Sequence, residues 1–286
     1  MDADNQHCQG PGLRRSVLIT GSSGGIGRCV AEGLRGRDYR VFATARRQEV
    51  VQELGRAGFE SIQLDLANTA SIAAAVDQVL QKTGGRIYGL FNNGAFGQPG
   101  AVEDLSRDVL SEKFEINLFG THEVTRLVIP AMRGQGEGRI IQNSSVLGFI
   151  ALRYRGAYVA SKYALEGLSD TLRMELKGTG ITVSLIEPGP ILSQFRANAF
   201  AAYQRNIDRD HSPHKQVYES LEKRLRADGP VVPFTLGPEA VLKCVIHALE
   251  SRRPRDRYYV TFPTWLFACL KRLLPGRVLD RILERI

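Results

Sequence analysis

Ser16-Val17-Leu18-Ile19-Thr20-Gly21-Ser22-Ser23-Gly24-Gly25-Ile26-Gly27 opens as a short apolar, partly β-branched run and closes in a glycine cluster. Beyond it, Ile26, Val30, Ala31 and Leu34 recur at helical spacing. The order is strand, tight turn, helix, which brings backbone N–H groups and a helix N-terminus to where a pyrophosphate can be held. The glycines follow G-x-x-x-G-x-G rather than the commoner G-x-G-x-x-G. A glycine-rich loop alone is often only a turn. The flanking strand and helix are what direct the reading toward a nucleotide.

Outward from this unit the same alternation continues. Arg40 to Ala45 reads as a second strand ending at Arg46-Arg47. In a dinucleotide-binding fold an acidic residue here binds the adenosine ribose hydroxyls, whereas an arginine suits a 2′-phosphate. Neither Thr44 nor Ala45 is acidic, so NADP(H) is favoured over NAD(H), against the reading that these arginines are ordinary surface charges. Ser61 to Leu64 reads as a third strand running into Asp65-Leu66, and Ser71 to Leu80 carries helical spacing. Ile87 to Phe91 is a fourth strand, followed by Asn92-Asn93-Gly94-Ala95. This pattern predicts an α/β fold with a parallel sheet covered on both faces, and the ligand beyond the carboxyl ends of the strands. The turns after the first four strands therefore converge on one crevice.

The second half supplies reactive side chains. From Ser106 to Met132 the spacing is helical, with Asn117 in its apolar part; a buried amide there is either bonded to nearby backbone, or holds a water or distorts the helix beside the site. Arg139 to Asn143 reads as a fifth strand with Ser144-Ser145 at its carboxyl end. A helix from Tyr158 to about Lys177 sets Tyr158 and Lys162, four apart, on one face. A free phenol has a pKa of about 10, and a fixed cation beside it favours the phenolate. Ile181 to Ile186 is a sixth strand, stopped by Glu187-Pro188-Gly189-Pro190.

Composition narrows the function classes. The chain has 286 residues, 43% hydrophobic and 24% charged, as expected of a globular protein. Its net charge of +8 comes from dispersed basic residues without a zinc-finger or RNP-type signature, so nucleic-acid binding is not expected. Cys8, Cys29, Cys244 and Cys269 form no C-x-x-C pair and no metal-like spacing. Reduced thiols in a cytoplasmic protein without a metal centre are the expectation. Residues 1–15 are polar with no apolar signal core and read as a flexible tail before a domain at 16–286.

Taken together, these motifs resemble the short-chain dehydrogenase/reductase family, in its TGxxxGxG and YxxxK subgroup. The likeness runs from Ser16 to Ile191 through Thr20 to Gly27, Asp65, Asn92 to Ala95, Asn117, Ser145, Tyr158 to Lys162 and Pro188-Gly189. It implies a single α/β domain with a Rossmann-like doubly wound parallel sheet, NAD(P)-dependent oxidoreduction of an alcohol or carbonyl, and a catalytic set of Asn117, Ser145, Tyr158 and Lys162. Ser145 would orient the substrate oxygen and Tyr158 would exchange its proton. Lys162 would lower the phenol pKa and bind the nicotinamide ribose. By the same resemblance, cofactor contacts come from Gly21, Ser23, Gly25, Ile26, Gly27, Arg46, Asp65, Leu66, Asn92, Gly94, Pro188, Gly189 and Ile191, besides Tyr158 and Lys162. The family's usual Asn-Asn-Ala-Gly is here Asn92-Asn93-Gly94-Ala95, from which an altered backbone is expected rather than lost binding.

Residues 191–233 are where such a fold builds its substrate lid, here with Phe195, Phe200 and Tyr203 near the start and a helical stretch from Val217 to Arg226. Those aromatics suit an apolar substrate or simply pack the lid onto the core. Tyr258 to Thr261 reads as a last strand, leading into an apolar tail with Trp265 and, further on, Arg277, Arg281 and Arg285. It is too short to span a bilayer; membrane-surface contact through 264–286, cover for the cleft and a subunit interface all stay open. The pattern resembles the steroid- and retinol-dehydrogenase-like branch, which implies a hydrophobic alcohol, aldehyde or ketone. A 3-oxoacyl thioester reductase and a non-catalytic cofactor-sensing regulator are the alternatives. A homodimer or homotetramer, paired through the helices of Asn117 and Tyr158, is implied by resemblance only.

Overall fold

A computed structural model describes residues 14–227 and 229–285; most of the expected N-terminal tail, residues 1–13, lies outside the described residues. β1 (Ser16–Ile19), α1 (Gly25–Arg35), β2 (Arg40–Ala45), α2 (Gln48–Arg56), β3 (Glu60–Gln63), α3 (Thr69–Lys82) and β4 (Gly89–Asn92) form the first half. The second half holds α4 (Arg107–Phe114), α5 (Thr121–Gln135), β5 (Gly138–Asn143), α6 (Gly156–Glu175) and β6 (Ile181–Glu187). The lid helices α7 (Phe195–Asn206) and α8 (Lys215–Arg226) follow, then α9 (Glu239–Glu250), β7 (Arg257–Tyr259), α10 (Phe262–Leu273) and α11 (Gly276–Leu283).

The strands lie in the order β3-β2-β1-β4-β5-β6-β7, and every neighbouring pair is parallel. The chain builds outward from β1 to β3, then returns to build outward the other way from β4. At that reversal, between β1 and β4, the connecting turns diverge to opposite faces and a crevice opens. Both faces are covered, so the central strands are apolar throughout rather than alternating. Along β1 the side chains divide by parity: Val17 and Ile19 join the core under α1 and α9, and Leu18 joins the core under α3 and α5.

Two local features carry structural information. The stretch read as largely helical from Ser106 to Met132 is α4 and α5 joined by a π-helical turn, Glu115–Gly120, with Asn117 inside it. Here the helix presses on the β3–α3 connection so closely that a Cβ at Gly120 would lie 2.0 Å from the Leu66 carbonyl oxygen. Secondly, the apolar tail turns back on the body. Leu279 and Leu283 of α11 are buried against Ile150 and its neighbours in the connection between β5 and α6. No helix among the described residues is long and apolar enough to cross a membrane.

Candidate active site

The floor of the crevice is made of backbone. Gly21 has φ +71°, and a Cβ on it would lie 2.8 Å from the Gly94 Cα; a Cβ on Gly27 would lie 2.2 Å from the Gly21 carbonyl oxygen. Only glycines let the β1 turn, the α1 start and the β4 turn approach this closely. Thr20 Oγ1 then accepts hydrogen bonds from the N–H groups of Asn93 and Gly94, both at 2.9 Å. The Asn93 amide donates to the carbonyls of Thr20 and Gly21. A Cβ at Gly94 would meet Leu66 Cδ1, the end of a side chain, at 2.7 Å.

Above this floor, Ser145 ends the β5 edge and Tyr158 and Lys162 rise from α6. All three line a cleft of about 460 Å³ together with Gly21, Ser23, Gly25, Ile26, Gly94, Pro188, Gly189 and Ile191. The remaining expected residues stand behind it. Gly27 backs the Gly21 turn, Asn92 donates to Thr125 Oγ1 at 2.8 Å, and the Asp65 carboxylate accepts from the Ala67 N–H at 3.0 Å. Leu66 packs on Gly94 and Gly120. Arg46 is exposed at the carboxyl end of β2, with no ion-pair partner among the described residues. Asn117 accepts from the Phe96 N–H at 3.2 Å and donates to the Phe96 carbonyl and to Ser161 Oγ. It is thus bonded to backbone and also sits in the helix distortion, so the two sequence readings describe one arrangement.

Electrostatically the cleft differs from expectation. Burial pushes the Tyr158 phenol up to about 12, and the adjacent Ser145 hydroxyl pulls it the other way. Lys162 donates to the Asn143 carbonyl at 2.6 Å, and its ammonium lies 5.7 Å from the centre of the Tyr158 ring. Burial brings Lys162 down to about 8, opposed by the charge of Glu166. The phenol is therefore held protonated at neutral pH, ready to donate. A second amine escaped the sequence reading. Lys113 is fully buried, its Nζ has no hydrogen-bond partner among the described residues, and it lies 3.8 Å from the centre of the Phe96 ring and 5.0 Å from that of Tyr158. Burial, then the charge of Lys162, holds its pKa well below the usual lysine range. The available signal was its spacing of four from Asn117, which puts both on one helical face.

A dinucleotide fits the residues present. The glycine floor admits close approach of a flat, charged ligand, α1 points its N-terminus at the cleft, and Asn143 Oδ1 is buried without a donor among the described residues. A dinucleotide offers hydroxyl and amide donors to such an acceptor.

Fold and cleft together define a dinucleotide-using oxidoreductase. The chain belongs to the short-chain dehydrogenase family, whose sequence pattern, described as "short chain dehydrogenase", it matches over residues 15–204. It is 44% identical over 272 residues to the uncharacterized oxidoreductase YbbO of Escherichia coli, covering 95% of each chain. It is 32% identical over 263 residues to human 17-beta-hydroxysteroid dehydrogenase type 1, covering 87% of this chain and 78% of the relative. Among solved structures, an actinorhodin polyketide ketoreductase with NADPH is 27% identical, with a TM-score of 0.70 over 86% of this chain and 95% of the other.

Proposed function

We propose that the protein is an NADP(H)-preferring oxidoreductase that interconverts a hydrophobic alcohol and its aldehyde or ketone, with Tyr158 as the acid/base. The observation that carries this reading is the convergence of Ser145, Tyr158 and Lys162 with the Gly21–Gly27 turn in one cleft. Its outer wall is apolar, with Leu147, Leu152, Phe195 and Leu225. When bound, the nicotinamide supplies hydride to a carbonyl or accepts it from an alcohol. Ser145 holds the substrate oxygen by a hydrogen bond, and Tyr158 gives that oxygen its proton or takes it back. Lys162, anchored on the Asn143 carbonyl, keeps positive charge beside the phenol as it loses its proton. Gly21, Ser23, Gly25, Ile26, Gly27, Asp65, Leu66, Asn92, Gly94, Pro188, Gly189 and Ile191 shape the dinucleotide cradle. The preference for the 2′-phosphate is assigned to Arg46, exposed and without an ion-pair partner among the described residues where a ribose-binding acid would stand.

Residues 191–233 serve as the lid: Phe195 packs edge-on against Tyr158, with ring centres 5.3 Å apart. Tyr203, by contrast, is buried in a cluster that packs this segment onto Ala101, Leu105 and Ala157. Self-association is supported by an apolar groove lined by Leu118, Phe119, Ala164 and Leu168, beside Asn117 and on the helix of Tyr158. The inward packing of α11 favours cover of the cleft wall over membrane contact for the tail. Free Cys29, Cys244 and Cys269 suit a cytoplasmic setting.

The test is a screen of aldehydes, ketones and sterols of graded chain length, followed by NADPH absorbance. Turnover that rises with apolar chain length supports the reading. NADPH binding without reduction of any carbonyl would instead favour a cofactor-sensing regulator, and activity confined to acyl thioesters a 3-oxoacyl reductase.

A further inference from the structure

Among the described residues, the charged side chains lining the cleft are Arg155, Lys162, Arg196 and Arg224, with no carboxylate beside them. Two of the four are occupied within the protein. Lys162 donates to the Asn143 carbonyl, and Arg196 donates to the carbonyls of Ala227 and Gly229. The other two are not. Arg155 makes one long side-chain hydrogen bond, 3.4 Å, to the carbonyl of its own neighbour Tyr154. Arg224, on α8 at the rim, makes no ion pair among the described residues.

Both guanidinium groups line the one cleft. Burial, and then the charge of Arg224, brings Arg155 down to about 10. A half-buried cation with a like charge in the same cleft, and no acid beside it among the described residues, is costly and is relieved by an anion. Guanidinium groups bind carboxylate, sulfonate and phosphate oxygens in paired geometry. Placement adds the distance. Arg155 is the residue just before α6, three before Tyr158; three residues of chain reach at most about 10 Å, and both side chains line the cleft.

We propose that the substrate is an oxo-amphiphile: an apolar chain whose anionic group lies within a few bonds of the reacting carbonyl and is held by Arg155 and Arg224. The assignment deepens the reading of the site given above and rests on it for the carbonyl, while the anion site stands on the arginines alone. Leu147, Leu152, Phe195 and Leu225 take the chain.

Two measurements test it separately. Calorimetry on the NADPH-loaded protein compares octane-1-sulfonate with octan-1-ol, and steady-state reduction compares 2-oxooctanoate with its methyl ester. The expected result is at least tenfold tighter binding of the sulfonate and a tenfold higher kcat/KM for the oxo acid. Arg155→Gln and Arg224→Gln should each reduce both ratios severalfold through Kd and KM. NADPH affinity and kcat on the ester should be retained, and Arg155→Lys should recover part of the loss. Melting curves confirm that the variants are folded. Equal binding of sulfonate and alcohol by the unaltered protein, or ratios unmoved in both glutamine variants, would overturn the proposal. Arginine-dependent sulfonate binding in a protein that reduces no carbonyl would leave the anion site standing and remove the oxidoreductase reading.

Discussion

The cofactor half and the substrate half of the cleft are built by different means. On the cofactor side the ligand surface is backbone, brought together by glycines whose replacement would place a Cβ within 2.2 Å of Gly21 or 2.8 Å of Gly94. Its polar ties run between consecutive strand ends, such as Thr20 to Asn93 and Gly94. On the substrate side the surface is side chains, contributed by stretches as far apart as Leu147, Phe195 and Leu225. Tyr203, Tyr218 and Leu221 pack the segment of Phe195 and Leu225 onto Ala101, Leu105 and Ala157 of the body, in a cluster apart from the two cores that cover the sheet. A surface made of backbone admits little variation, because any added atom collides. A surface of side chains packed outside the sheet's own cores can change its ligand without disturbing the sheet.

Substitutions on the two sides should therefore separate in what they alter. Tyr158 lines the cleft together with the glycine turn and the apolar wall, and Tyr158→Phe is expected to lower turnover about 10²- to 10⁴-fold, the usual contribution of a positioned acid/base. Cofactor affinity, measured by fluorescence titration, should stay nearly unchanged; near-normal turnover would remove the tyrosine from the chemistry. On the cofactor side alone, Arg46→Ala should weaken NADPH about tenfold, the equivalent of about 1.4 kcal/mol, and leave NADH almost unaffected. Equal losses for both nucleotides would count against a 2′-phosphate contact. On the substrate side alone, Phe195→Ala should raise KM for an apolar carbonyl severalfold while dinucleotide affinity holds. If instead NADPH binding falls with it, the lid belongs to both halves. The smallest effect is that of pH. Lys162, brought down to about 8 by burial, is protonated below that value and loses its charge above it. Carbonyl reduction should accordingly fall to about half as pH rises to about 8 and continue downward. A flat profile from pH 7 to 9 would show that the lysine charge is not needed.

Below the site lies a further pH-sensitive group. Glu166 and Glu187 are buried together beside Arg257, which bonds Glu166 at 2.8 Å, Asp170 at 2.6 Å and Glu187 at 3.4 Å. Burial, then the charge of Glu166, pushes Glu187 up to about 9. A carboxyl whose folded-state pKa is raised binds its proton more tightly in the native protein. Its contribution to stability is present below the ordinary carboxyl range and is lost as pH rises toward about 9. Glu187→Gln should flatten the melting temperature across that window. An unchanged slope would show that the pair is not the group that titrates.

Much of this architecture was legible along the chain because it is local. The β1 run, the glycine turn and the periodicity of α1 need only neighbouring residues, and the Tyr158–Lys162 pairing needs only one helical turn. Where contacts between distant segments decide, legibility ended. Asn117 and Tyr158 were visible, but Lys113 was not, since its solitary burial depends on Phe96 and Tyr158 closing over it. The expectation that Lys162 lowers the phenol pKa follows from their spacing. In the folded protein burial raises the phenol, the Ser145 hydroxyl is what opposes it, and the lysine is turned to the Asn143 carbonyl.

The sequence by itself determined the strand and helix order, the glycines of the cradle and the family, because each rests on short-range geometry that a few adjacent residues dictate. Tertiary structure alone decided which face the tail covers, which arginines remain without an acid among the described residues, and how far burial shifts each buried charge. Desolvation and charge pairing depend on every segment packed around a group, and those segments meet only when the chain has folded.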